Sequence, residues 1–126
     1  MQAAQAKQGR MSSEVEQLSI ELRRFAEDRD WDQFHSVKNL ILALTGEVGE
    51  LAEVFQWLSE VQIDNLSPED RKRAAEEMAD VFLYLLRLSD KLDVNLIEAA
   101  FKKLEVNAVK YPINEAKGNA VKYNRR

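Results

Sequence analysis

Gly46-Glu47-Val48-Gly49-Glu50-Leu51-Ala52-Glu53-Val54-Phe55-Gln56-Trp57 decides how this chain is read. The stretch has helical periodicity: Leu40, Leu44, Glu47, Leu51, Val54 and Leu58 recur at three- and four-residue spacing. Glu47 therefore lies inside an apolar stripe rather than opposite it. Glu50 follows one turn later, about 60° around the axis of a regular helix. A charge there is costly unless something pairs with it. Either this edge of the helix is wet or it holds a cation. Gly46 and Gly49 each weaken the helix by roughly 1 kcal/mol relative to alanine. They leave room for close helix packing or for a ligand beside the two acids.

Outward from this stretch, the chain punctuates itself sparsely. It has 126 residues, 45% hydrophobic and 32% charged, with only four glycines and two prolines. Few turn formers and long periodic segments predict an all-α fold, a four-helix bundle-like domain with one core. There is no cysteine, which excludes a disulfide framework and thiolate metal sites and fits a cytoplasmic protein. No apolar run has membrane-spanning length, so no membrane partner is expected. The formal charge of −4 provides no global basic field for nucleic acid.

The expected order begins with a polar, mobile leader over residues 1–12. The domain follows over residues 13–112 and a basic tail over residues 113–126. Ser13 with Glu16 is a capping-box pattern opening a first helix to about Asp28. Arg29 to Ser36 is a connection rich in aromatics, with Asp32 or Ser36 available to cap the next helix. That helix is expected over 37–59, followed by a loop over 60–66. Ser67-Pro68-Glu69-Asp70 is a strong helix start, and this third helix runs to about Lys91. Its stripe is Ala74, Met78, Val81, Leu85, Leu88 and Leu92, with Glu77 and Asp80 on one edge and Tyr84 continuing that edge. A fourth helix is expected from about Leu96 to Lys110. It carries Lys103, Asn107 and Lys110 along one side, and Pro112 lies just beyond its end.

Two neighbouring helices thus carry acidic pairs at i, i+3: Glu47 with Glu50, and Glu77 with Asp80. Packed antiparallel, both pairs can face one crevice. Four oxygen donors without a thiol suit a hard cation, Mg²⁺ first and Mn²⁺ next. Close carboxylates cannot all ionise cheaply without one. Glu53 and Glu76 turn further from the stripes and are expected in solvent. A ferritin-like di-iron site is excluded, because it needs two Glu-x-x-His elements and His35 is the only histidine.

The two acidic pairs, together with Arg29-Asp30-Trp31-Asp32-Gln33-Phe34-His35, Phe55-Gln56-Trp57, Glu76-Glu77-x-x-Asp80-Val81 and Tyr111-Pro112, resemble the MazG-like superfamily of all-α nucleoside triphosphate pyrophosphatases. The resemblance extends over about residues 18–123 and is nearest to the dCTP pyrophosphatase branch. One departure is Gly46, where many MazG proteins carry a further glutamate.

The resemblance implies an enzyme that hydrolyses deoxynucleoside triphosphates to monophosphate and pyrophosphate with Mg²⁺, for which dCTP or a modified dCTP is the expected substrate. The implied role is house-cleaning of the nucleotide pool. It assigns Glu47, Glu50, Glu77 and Asp80 as metal ligands and catalytic residues, one of the glutamates, nominally Glu50, orienting or deprotonating the water. Lys103, Asn107, Lys110 and Tyr111 are its phosphate-side candidates. Trp31, His35, Asn39, Trp57 and Tyr84 are its base-side candidates. It also implies a homodimer or homotetramer. The alternatives are a non-catalytic nucleotide- or metal-binding helical module, a related pyrophosphatase preferring dATP or dUTP, and a purely structural bundle with solvated acids.

Overall fold

A computed structural model describes the backbone of residues 2–125 and the side chains of residues 13–125. The mobility expected of the leader lies outside the described side chains. Among the described residues all regular secondary structure is helical, with no strand. In order come α1 (Gln2–Asp28), a 3₁₀ turn (Asp32–Phe34), α2 (Val37–Phe55), α3 (Glu60–Asp64), α4 (Pro68–Lys91), α5 (Leu96–Lys110), α6 (Ile113–Ala116) and a last 3₁₀ turn (Tyr123–Arg125). No helix among the described residues is long and apolar enough to cross a membrane.

Side-chain caps set the helix starts. Ser36 Oγ accepts from Asn39 N at α2, Ser67 Oγ from Asp70 N at α4, and Asn95 Oδ1 from Glu98 N at α5. Each satisfies an amide that the helix itself cannot. Ser36, rather than Asp32, is the cap of α2. Pro68 sits at the start of α4, where its missing N–H costs nothing.

Three boundaries differ from the sequence reading. The first helix begins at Gln2, so Ser13 does not open it. The second ends at Phe55 and not Ser59. The segment expected as a loop contains α3, whose start is a full capping box: Ser59 Oγ accepts from Gln62 N, and Gln62 Oε1 accepts from Ser59 N. That reciprocal bond ends the run of α2 even though Leu58 continues its stripe.

The main packing is α2 against α4, with α1 laid on α4 and more lightly on α5. Ala26, Leu40, Val54, Ala74 and Leu86 are fully buried. The stripes are less completely covered than their periodicity predicts. Met78 and Leu92 on α4 are exposed, as are Phe101 and Leu104 on α5. Much apolar surface therefore has no cover within one chain.

Asp30 and Asp93 close α1 and α4 in the left-handed region, with φ of 56° and 53°. After α4 the turn is tied by Val94 N donating to Ser89 O at 2.9 Å. Left-handed backbone is strained for a residue with a Cβ, aspartate tolerating it better than most. Asp93→Gly should therefore raise stability by about 0.5–1 kcal/mol, read as an upward shift in the urea midpoint at unchanged slope. An unchanged or lowered midpoint would show that the Asp93 side chain contributes more than its backbone costs.

Candidate metal centre and base-side turn

α2 and α4 run antiparallel, and this sets two groups of polar residues at different levels of their contact. At one level, ligand-capable oxygens of Glu47, Glu77 and Asp80 lie within 4.8 Å of one another. Glu50 is close enough to interact with both Glu47 and Glu77. The crevice thus brings together all four acids expected from the sequence. Glu47 and Glu77 are half-buried, and Oε2 of each is buried without a hydrogen-bond partner among the described residues. Glu53 and Glu76 are exposed, as expected.

Burial, then the negative charges of Glu50, Asp80 and Glu77, push the Glu47 carboxyl up to about 7. Burial and the neighbouring Glu50 also raise Glu77. No basic side chain among the described residues bonds to either carboxylate. Two orphaned buried oxygens in an all-oxygen, negatively charged group fit a hard divalent cation, which accepts from several carboxylates at once.

At the other level, the turn between α1 and α2 is fastened to α4 by Arg87. This side chain is only 4% exposed. Its Nε donates to His35 Nδ1 at 3.2 Å, its Nη1 to Asp90 Oδ2 at 2.8 Å and its Nη2 to Asp32 Oδ1 at 2.6 Å. Lys91 adds a second ion pair to Asp32, and Arg23 on α1 pairs with Asp90. Lys91 accordingly holds the Asp32 carboxyl below its ordinary range, and Arg23 does the same for Asp90. Sequence reasoning missed Arg87. Its signal was its position: Glu77, Asp80, Tyr84, Arg87 and Lys91 follow one another at 3–4 spacing along one edge of α4.

The base-side candidates do not all converge. Trp31 and His35 meet edge to face with centroids 6.4 Å apart, and Phe25 meets Trp31 at 5.7 Å. Tyr84 is half-buried on α4, between Asp80 and Arg87. Asn39 spends its amide on the turn, Nδ2 donating to Phe34 O at 3.1 Å. Trp57 is 86% exposed, beyond the far end of α2. The nineteen residues of α2 separate it from His35, about 27 Å at 1.5 Å per residue. One chain therefore cannot place Trp57 and His35 in the same slot.

Of the phosphate-side candidates, Lys103, Asn107 and Lys110 belong to α5 and Tyr111 is its C-cap; the main support of α5 among the described residues is α1. Lys110 Nζ lies over the Tyr123 ring at 4.9 Å, and Tyr111 meets the same ring edge-on at 5.9 Å. The tail thus folds back on the end of α5. A separate cleft of about 380 Å³, lined by Val15, Ile20, Arg23, Asp90 and Ile97 among others, includes none of the four acids.

A family model described as MazG-like matches residues 42–125. The dCTP pyrophosphatase 1 of Rattus norvegicus is 48% identical over 81 residues, covering 63% of this chain and 48% of the rat protein. That of Homo sapiens is 44% identical over 101 residues, covering 75% of this chain and 59% of the human protein. The chain spans about half the length of the curated relatives it matches. Among solved structures, a pyrophosphatase from Archaeoglobus fulgidus is similar with a TM-score of 0.74 and 40% identity, over 79% of this chain and 93% of that one.

The Glu47 environment has a consequence for stability in metal-free buffer. A carboxyl whose folded pKa lies above its unfolded value opposes folding as it ionises. The destabilisation grows as pH rises from the ordinary 4.5 to about 7 and is constant above that. Glu47→Gln should therefore match the wild type in Tm near pH 4.5 and exceed it progressively up to pH 7–8. Parallel Tm curves across that window would mean that the carboxyl is not under repulsion.

Proposed function

The chain belongs to the MazG-like family, and from that premise we propose that it is a nucleoside triphosphate pyrophosphohydrolase acting with Mg²⁺, for which Mn²⁺ can substitute. Its proposed reaction cleaves the α–β phosphoanhydride of a deoxynucleoside triphosphate, dCTP or a modified dCTP first, to monophosphate and pyrophosphate. The setting would be nucleotide-pool house-cleaning. The observation that carries this reading is the pair of buried, unpartnered oxygens on Glu47 and Glu77, with Asp80 and Glu50 beside them. The base preference rests on likeness to dCTP pyrophosphatases 44% and 48% identical to this chain.

In this reading Glu47, Glu50, Glu77 and Asp80 hold the cation, which when bound offsets phosphate charge and polarises the attacked phosphorus. A triphosphate would be repelled by the four acids alone. Glu50 is exposed, as is Asp80, and accepting a proton from the attacking water is the proposed part of Glu50. Seven residues separate Asp80 from Arg87 along α4, about 10 Å. Phosphates would lie at the acidic level and the base toward Trp31 and His35, with Tyr84 between. Lys103, Asn107, Lys110 and Tyr111 are the proposed phosphate-side donors.

The proposed working state is a homodimer or homotetramer. Ile41, Leu42, Met78, Phe82, Phe101 and Leu104 are all exposed on the single chain, more apolar surface than scattered singles account for. A second copy would also bring in the side chains that one chain keeps apart, Trp57 among them.

Three measurements test this. Incubation with a panel of dNTPs and NTPs plus Mg²⁺ should yield monophosphate and pyrophosphate, fastest with dCTP. Diphosphate and orthophosphate would place cleavage at another bond, and binding without turnover would make this a nucleotide-binding module. Glu50→Gln and Asp80→Asn should each lower kcat by about 100-fold or more, with unchanged far-UV circular dichroism and a smaller heat of Mg²⁺ binding. Full Mg²⁺-dependent activity in either variant rules out the ligand assignment. Sedimentation should give a mass of two or four chains; a monomer at micromolar concentration contradicts the assembly.

A further inference from the structure

We propose that Arg87 is a positioning residue for base recognition: it fixes His35 as the neutral tautomer protonated at Nε2, so that the ring meets the base as a hydrogen-bond donor. This rests on the reading that His35 faces the nucleobase.

The guanidinium has five N–H donors and no acceptor. An imidazole nitrogen that receives the Arg87 Nε proton must therefore carry none itself. The 3.2 Å contact to Nδ1 puts the ring proton on Nε2. The other two nitrogens of the guanidinium are held equally firmly, Nη1 by Asp90 and Nη2 by Asp32. Three acceptors in three directions fix the plane of the fork, and a lysine ammonium cannot reproduce that geometry. Asp90 is itself held by Arg23. The His35 ring is thus oriented by a chain of contacts running from α1 through α4 to the turn before α2.

Protonation of the ring is opposed on every side but one. Its partial burial comes first, followed by the positive charges of Arg87 and Lys91; only Asp32 acts the other way. Asp32 is already shared between Arg87 and Lys91. With Nδ1 accepting from Arg87, the ring presents one donor, the Nε2 proton. That chemistry suits a carbonyl oxygen or an unprotonated ring nitrogen of a base and rejects an exocyclic amino group in the same place. Half-exposure of His35 leaves the ring within reach of a ligand.

The test combines a measurement on the wild type with variants. Nitrogen-15 NMR of the imidazole at pH 7 should show a protonated Nε2 and an unprotonated Nδ1. A protonated Nδ1, or a rapidly exchanging mixture of tautomers, would overturn the proposal without any mutation. In Arg87→Lys and Arg87→Met the tautomers should mix and the ring should titrate closer to the ordinary histidine value of about 6.5. For dCTP with Mg²⁺, KM should rise about threefold to tenfold, the loss of one neutral hydrogen bond, with kcat within about twofold. An Arg87→Lys enzyme that is folded, keeps the wild-type tautomer and keeps the wild-type KM would also overturn it. His35→Ala separates the two layers. An unchanged dCTP KM in that variant removes the base contact, whereas the NMR spectrum still decides what Arg87 does to the ring.

Discussion

The contact between α2 and α4 holds this fold together, and it does so with repulsion built into it. Leu40 and Val54 on α2 and Ala74 and Leu86 on α4 are buried, and their removal from water drives the pairing. Between them the two helices bring Glu47 and Glu77 together, each with a buried oxygen that no described residue satisfies. A fold selected for stability alone would place apolar or paired residues there, because an unpartnered buried carboxylate is costly. The buried side chains on either side hold the acids at short range. The Glu47 carboxyl, raised to about 7, is the record of that constraint.

The opposite end of the same contact is arranged in the reverse sense. There the charges are compensated: Arg87 is buried, and Asp32, Asp90, Lys91 and Arg23 pair around it. A buried guanidinium is tolerable only when its donors are taken, and here all three nitrogens are. One helix pair thus presents an unsatisfied anionic level and a satisfied, rigid level about two turns away along α4. An asymmetric ligand, anionic at one end and neutral at the other, suits that pattern.

What the sequence made legible was local. Ser67 caps the helix it precedes, and Ser36 takes the cap for which Asp32 was the other option, because a cap needs only its next three residues. The acidic pairs were legible because i, i+3 spacing fixes a common edge. The end of α2 was not, since Leu58 prolongs the apolar period. The competing signal is the Ser59–Gln62 capping box, which starts α3. Arg87 was illegible for a different reason. An arginine in a helix reads as solvated until its partners are known, and Asp32 lies fifty-five residues away. Asn39 Nδ2 donates to Phe34 O, a contact within its own turn that helical spacing does not announce.

The separation of Trp57 from His35 follows from the rigidity of α2. A helix cannot bring its two ends together, so residues flanking it can share a ligand only across two copies or not at all. The same holds for α5, whose apolar residues Phe101 and Leu104 are exposed while its polar residues stand on a helix supported mainly by α1. The unburied apolar surface and the incomplete convergence of candidate residues therefore have one physical origin. A chain of few, long helices with short connections defines one good contact, α2 on α4, and leaves apolar side chains on its other faces exposed.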